Sequence, residues 1–133
     1  GGPNAGPIGV NMDATKIKPG DSLDVIYQVT KTMTVNRTGK SGSDVLSTPS
    51  LLHIMELACI EITDARLPKG YATVGYAVDK LRHLAPTKID QMVKISVKIE
   101  ETDGKKFSYS IEAHEGDKMI GKSEHKRATI NTE

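Results

Sequence analysis

The sequence predicts an α+β domain in which an antiparallel sheet wraps around one long central helix. Three observations carry that expectation. Residues 45–60, VLSTPSLLHIMELACI, are apolar on almost every side from Pro49 onward, as in a helix buried all round rather than lying on a surface. Beyond residue 70 the chain alternates apolar and polar residues with the period of a strand. The turns between those alternating runs hold Asp103-Gly104 and Glu115-Gly116-Asp117, which are strong short-range hairpin signals.

Taken in order, Lys18-Pro19-Gly20-Asp21 reads as a turn, and Leu23–Thr30 alternates Leu23, Val25, Tyr27 and Val29 as a strand does. Residues 32–47 are polar and irregular and predict a loop within the domain. The helix is expected to begin with Thr48 as N-cap and Pro49 at the first helical position. It should run to about Arg66 and stop before Leu67-Pro68-Lys69-Gly70. Alternating segments follow in Tyr71–Leu84, Met92–Glu101, Lys106–His114 and Met119–Asn131.

At 133 residues the chain fits one domain with a real core. The Gly- and Pro-rich start, residues 1–11, reads as a flexible leader or vector-derived remnant, leaving 12–133 as the single domain. The 18 Lys and Arg nearly balance the 17 Asp and Glu and are scattered among them, which argues against a nucleic-acid partner or an electrostatic membrane footprint. No apolar run reaches spanning length. The lone cysteine, Cys59, excludes an internal disulfide and fits a reducing compartment. The expectation is a soluble, cytoplasmic protein.

Glu56 is the single acid in the apolar helix stretch. Burying a carboxylate alone costs several kcal/mol unless something pairs with it or shifts its pKa. A helix of this kind carrying one acid points to a working group; the bland alternative is that Glu56 reaches solvent or meets an Arg or Lys. A carboxylate in such a helix can be raised toward the range useful for a general base. His83 could orient it or serve as base itself. Thr48, at the helix N-terminus, could position a water or attack directly, with the amide ends of the helix facing developing negative charge.

Particular residues then narrow the class. STPSLLHIMELAC, the stretch from Gly75 to RHLAPT, and SEHKRATI near the end resemble the hot-dog thioesterases, and within them the fluoroacetyl-CoA thioesterase-like group. The likeness spans roughly residues 16–131. It implies a hot-dog fold, acyl-CoA hydrolysis without a cofactor or metal, and a homodimer with active sites at its interface. It further implies Thr48, Glu56 and His83 as the catalytic set, Gly75 against the thioester, and Arg127 as a substrate-binding residue that could meet a CoA phosphate or instead pair with a Glu or Asp. Residues 31–47 lack the lid aromatics of the specialised fluoroacetate enzymes, which favours a short- or medium-chain acyl-CoA over fluoroacetyl discrimination. The step from Gly75 to His83 is one residue longer than in that group, which predicts a β-bulge between them.

Helix geometry adds a constraint. Eight residues of rise put Thr48 and Glu56 about 12 Å apart along the axis. Either Ser47-Thr48-Pro49 folds back, or a second chain completes the cluster. Other candidates fall mostly to structural roles. His53 and Glu56, with His83, make a poor metal site. Cys59, Leu52, Ile54 and Met55 read as core or acyl-pocket lining, and His114 and His125 as strand residues. Lys80, Arg82, Lys105 and Lys106 could meet the nucleotide end of CoA or simply be solvated. A hydratase is disfavoured because no Asn-Pro lies between Asp79 and His83. A non-catalytic acyl-CoA-binding module stays open.

Overall fold

The computed structural model describes residues 6–11 and 16–133. Among the described residues, eight strands and one α-helix follow one another as β1 (Gly6–Asn11), β2 (Ser22–Gln28), β3 (Thr34–Val35), β4 (Val45–Leu46), α1 (Thr48–Thr63), β5 (Tyr71–His83), β6 (Met92–Thr102), β7 (Lys106–Glu115) and β8 (Lys118–Asn131). Six of them form one antiparallel sheet in the order β1-β2-β6-β7-β8-β5, while β3 and β4 pair as a two-stranded ribbon. The expected loop at residues 32–47 therefore contains a short ribbon preceded by a single 3₁₀ turn, Lys31–Met33. Part of the expected leader is also structured. Gly6–Asn11 pairs with Ser22–Ile26 at the edge of the sheet, because an exposed strand edge offers unpaired backbone groups to any extended segment.

The strand alternation works as read. Leu23, Val25 and Tyr27 on β2, Val93, Ile95, Val97 and Ile99 on β6, and Phe107, Tyr109, Ile111 and Ala113 on β7 all point into the core. Against them α1 lays Leu51, Ile54, Met55, Ala58, Cys59 and Ile62. Each large aliphatic side chain so buried contributes on the order of 1.5–3 kcal/mol. The sheet makes room for the helix at Gly121, whose position leaves no space for a methyl group: a Cβ there would lie 2.8 Å from Leu51 Cδ2 and 3.2 Å from the Arg82 carbonyl oxygen.

Two expectations about the helix change. Ser47, not Thr48, is the N-cap: its side chain accepts from the Ser50 amide at 3.2 Å, and Thr48 and Pro49 are helical. The helix is also buried on one face only. Leu52, Glu56, Leu57 and Ile60 are half-buried and His53 is exposed. After Thr63 a 3₁₀ turn, Asp64–Arg66, carries the chain to the predicted stop. Strand β5 pairs with β8 alone among the described residues, and its apolar Val74, Tyr76 and Val78 are exposed. It carries register shifts at Gly75/Ala77 and at Asp79/Arg82, with Lys80 at φ 53°, so the bulge expected between Gly75 and His83 is present twice.

Candidate active site

The five expected site residues fall into two groups. At the first turn of α1, the Thr48 hydroxyl lies 2.9 Å from His83 Nδ1. This contact is possible because Ser47 does the capping, which leaves the Thr48 side chain free. Burial holds His83 below the ordinary histidine value, so its neutral form prevails near pH 7. Its Nε2 is buried with no partner among the described residues. Thr48 and His83 share the lining of a cavity of about 300 Å³ with Val45, Leu46 and Leu84.

Two turns further along α1, Glu56 faces Gly75 and Arg127 across a second cavity of about 230 Å³. Glu56 Oε2 lies 3.7 Å from Arg127 Nη1. The lone buried acid expected from the sequence is thus neither lone nor fully buried: its side chain keeps 40 % of its exposure, and a guanidinium stands beside it. The bland reading describes its surroundings in the single chain. Gly75 leaves this approach open: a Cβ there would crowd Arg127 Nη1 at 3.2 Å and touch Glu56 Oε2 at 3.9 Å.

Arg127 is held from behind. Its Nε donates to Thr73 Oγ1 and its Nη2 to the Thr73 carbonyl, both at 2.8 Å. Thr73 in turn donates its hydroxyl to Asp64 Oδ1 at 2.6 Å and its amide to Asp64 Oδ2 at 3.0 Å. The relay Asp64–Thr73–Arg127 fixes the guanidinium plane and leaves Nη1 for the cavity. Sequence reading missed Thr73 and Asp64, since one is a strand threonine and the other sits in a helix-terminating turn. It also placed His125 as an ordinary strand residue. His125 is buried, lines the Glu56 cavity, and puts Nδ1 3.9 Å from Cys59 Sγ. The signal was faint, because β8 reads SEHKR with polar residues on both faces, so no apolar alternation marks the inward side.

Thr48 and Glu56 lie in one regular helix, so the fold-back alternative fails and their separation stays near 12 Å along the axis. Among the described residues no cluster of three or more His, Cys, Asp or Glu fit to hold a metal ion is present, and His53 points outward. Lys80 and Arg82 border a cavity of about 420 Å³ between β5, β7 and β8, where Lys80 meets Glu124 at 3.6 Å. Lys106 lies over the Tyr76 ring, and Lys105 lines a separate apolar groove with Leu67 and Ile130. No helix among the described residues is long and apolar enough to cross a membrane.

A helix wrapped by this sheet, with polar groups gathered at the helix and at β5 and β8, is the hot-dog architecture of thioesterases. Residues 29–133 match the family described as fluoroacetyl-CoA-specific thioesterase, and the chain belongs to that family. A curated relative, the fluoroacetyl-CoA thioesterase of Streptantibioticus cattleyicolor, is 29 % identical over 90 residues; the match spans 68 % of this chain and 64 % of that protein. Among solved structures, the fluoroacetyl-CoA thioesterase FlK superposes with a TM-score of 0.77 at 24 % identity, covering 88 % of this chain and 90 % of FlK. A thioesterase superfamily member from Thermus thermophilus gives 0.75 at 26 % identity, covering 88 % and 86 %.

Proposed function

We propose that this protein is an acyl-CoA thioesterase that hydrolyses a short- or medium-chain acyl-CoA to the free acid and CoA, acting as a homodimer with composite sites. The observation that carries the reading is the 2.9 Å contact between the Thr48 hydroxyl and His83 Nδ1. A hydroxyl at a helix N-terminus bound to a neutral imidazole is the arrangement that polarises a nucleophile or holds a water for attack. Family membership supports the same chemistry.

In the composite site, Glu56 of one protomer meets Thr48 and His83 of the other. Two features support this. Strand β5 pairs with β8 alone among the described residues and exposes Val74, Tyr76 and Val78, and α1 offers a half-buried apolar face with Leu52, Leu57 and Ile60 beside Glu56. Joining two copies along β5 covers both and brings the partner's helix toward Glu56. Glu56 takes a proton from a water that Thr48 and His83 orient; the water oxygen attacks the thioester carbonyl, the C–S bond breaks as the tetrahedral intermediate collapses to the acid, and the protonated Glu56 returns its proton to the departing thiolate. Arg127 Nη1 and the open backbone at Gly75 receive the acyl end. The absence of aromatic residues from 31–47 favours a general acyl-CoA over selection for fluoroacetyl. The unpaired Cys59 supports a cytoplasmic placement.

The test is thiol release from a panel of acyl-CoAs, short to long, by wild type and Glu56→Ala. Turnover by the wild type that falls about a hundredfold or more in the variant, with binding retained, fits loss of a catalytic group. Tight binding by both proteins without turnover on any chain would replace this reading with an acyl-CoA-binding module.

A further inference from the structure

We propose that His125 is a positioning residue for Glu56: a neutral imidazole, held by Cys59 on one side, that presents its Nε2–H to the Glu56 carboxylate on the other. Three consecutive inward positions of β8 are polar, Ser123, His125 and Arg127, and all three are buried. Ser123 donates to Met55 Sδ at 3.2 Å, and Arg127 is fastened to Thr73. His125 has one arm engaged, Nδ1 toward Cys59 Sγ at 3.9 Å, while Nε2 has neither a partner among the described residues nor access to solvent. Leaving such a group unpaired carries a desolvation cost, so an orphan at this place wants a reason.

The reason stands across the cavity. His125 and Glu56 line the same cavity, and the nearest cation, Arg127 Nη1, is too far from Glu56 at 3.7 Å to make a good hydrogen bond. A carboxylate has about four acceptor sites, so Glu56 has capacity to spare where His125 has a donor to spare. The tautomer follows from Cys59. Burial pushes that thiol well above its ordinary value, so the sulfur keeps its proton. A thiol proton directed at Nδ1 leaves the ring proton on Nε2. The opposite tautomer would set a nitrogen lone pair against the carboxylate. The groups facing the ring are Glu56 and Cys59 from α1, Arg127 on the same strand, and Tyr109 and Val78 as its register neighbours on β7 and β5. Burial, with Arg127 adding to it and Glu56 opposing, keeps the imidazole below the ordinary histidine value. A donor on one carboxylate oxygen leaves the other oriented for the attacking water, so the effect belongs in kcat rather than KM.

The kinetic arm rests on the thioesterase reading; the spectroscopic arm does not. Histidine ring ¹⁵N spectra of the full chain should show His125 as the Nε2–H tautomer, with its protonation midpoint below the ordinary histidine value. Cys59→Ala should mix the tautomers, and Glu56→Gln should shift the Nε2 resonance. In turnover, His125→Phe should lower kcat about 10- to 100-fold with KM changed less than about threefold, and His125→Gln, which restores an N–H donor, should recover about tenfold of that loss. An Nδ1–H or protonated ring, or an Nε2 resonance indifferent to Glu56→Gln, overturns the inference. So does a folded His125→Gln no better than His125→Phe. If the wild type hydrolyses no acyl-CoA, the enzymatic reading fails, and the spectra still decide the role of His125.

Discussion

Thr73→Val tests the relay behind the candidate site with little change of shape. The substitution exchanges a hydroxyl for a methyl at a residue that is 6 % exposed. It removes the 2.6 Å bond to Asp64 Oδ1 and the 2.8 Å bond from Arg127 Nε. Both involve charged partners, for which net contributions are about 1.5–3 kcal/mol each. The backbone bonds of Thr73 to Asp64 and Arg127 survive, so the lower end applies to each, about 3 kcal/mol together. For a domain between the 100- and 150-residue classes this corresponds to a fall in Tm of about 10 °C. Urea unfolding at one fixed protein concentration measures it, since self-association would otherwise move the midpoint. The slope m should be unchanged, and Thr73→Ser should regain most of the loss. A Thr73→Val protein within about 0.5 kcal/mol of wild type, a change typical of neutral surface sites, would refute the relay as a support of Arg127.

Gly121→Ala should destabilise by about 1–3 kcal/mol through overpacking, because its methyl group would meet Leu51 at 2.8 Å and the Arg82 carbonyl at 3.2 Å; chemical denaturation checks it. Stability should fall on acidification. His83 and His125 both titrate below their ordinary value when folded, so the unfolded chain takes up protons first as the pH drops through about 6.5. The loss then grows until the folded-state values are reached, and Tm against pH, with a His125→Phe comparison flattening the slope, measures it. Refolding Thr48→Val and Glu56→Gln chains together should restore about one quarter of wild-type activity, since half the dimers are mixed and one of their two sites is intact. No recovery would place each site within a single chain.

The extent to which this protein could be read from its sequence differs element by element. Strands β2, β6 and β7 came within one or two residues because their inward faces are Val, Ile, Leu, Phe, Tyr and Ala, and period-two burial is a short-range signal; β5 and β8 were bounded as closely by the turns that flank them. The helix stop at Leu67-Pro68 was equally local. The pairing of Gly6–Asn11 escaped because Gly and Pro carry no strand preference; the sheet edge supplies it. Ser47 and Thr48 are both good caps, and only the position of His83 decides that Thr48 is better used elsewhere. The all-round apolar helix was misread as wholly buried, since composition cannot say whether one chain or two does the covering. Glu56, Gly75 and Arg127 lie around one cavity, while Thr48 and His83 stand at another. Thr73, Asp64 and His125 took a fold to find, because each is ordinary by type and unusual only by neighbour.

Strand β5 has a consequence for the fate of the single chain. A long strand at a sheet edge with Val74, Tyr76 and Val78 uncovered is the kind of template that recruits foreign strands into aggregates. The two irregularities of β5, at Gly75/Ala77 and around Lys80, break that template into short lengths. A flat intruding strand can follow it for only a few residues before its ladder of hydrogen bonds falls out of step. A second copy of the same strand, running antiparallel about a two-fold axis, brings the same bends in mirrored order along the seam. In the proposed homodimer the two irregularities would thus act as a key, favouring the strand's own copy over a flat foreign one.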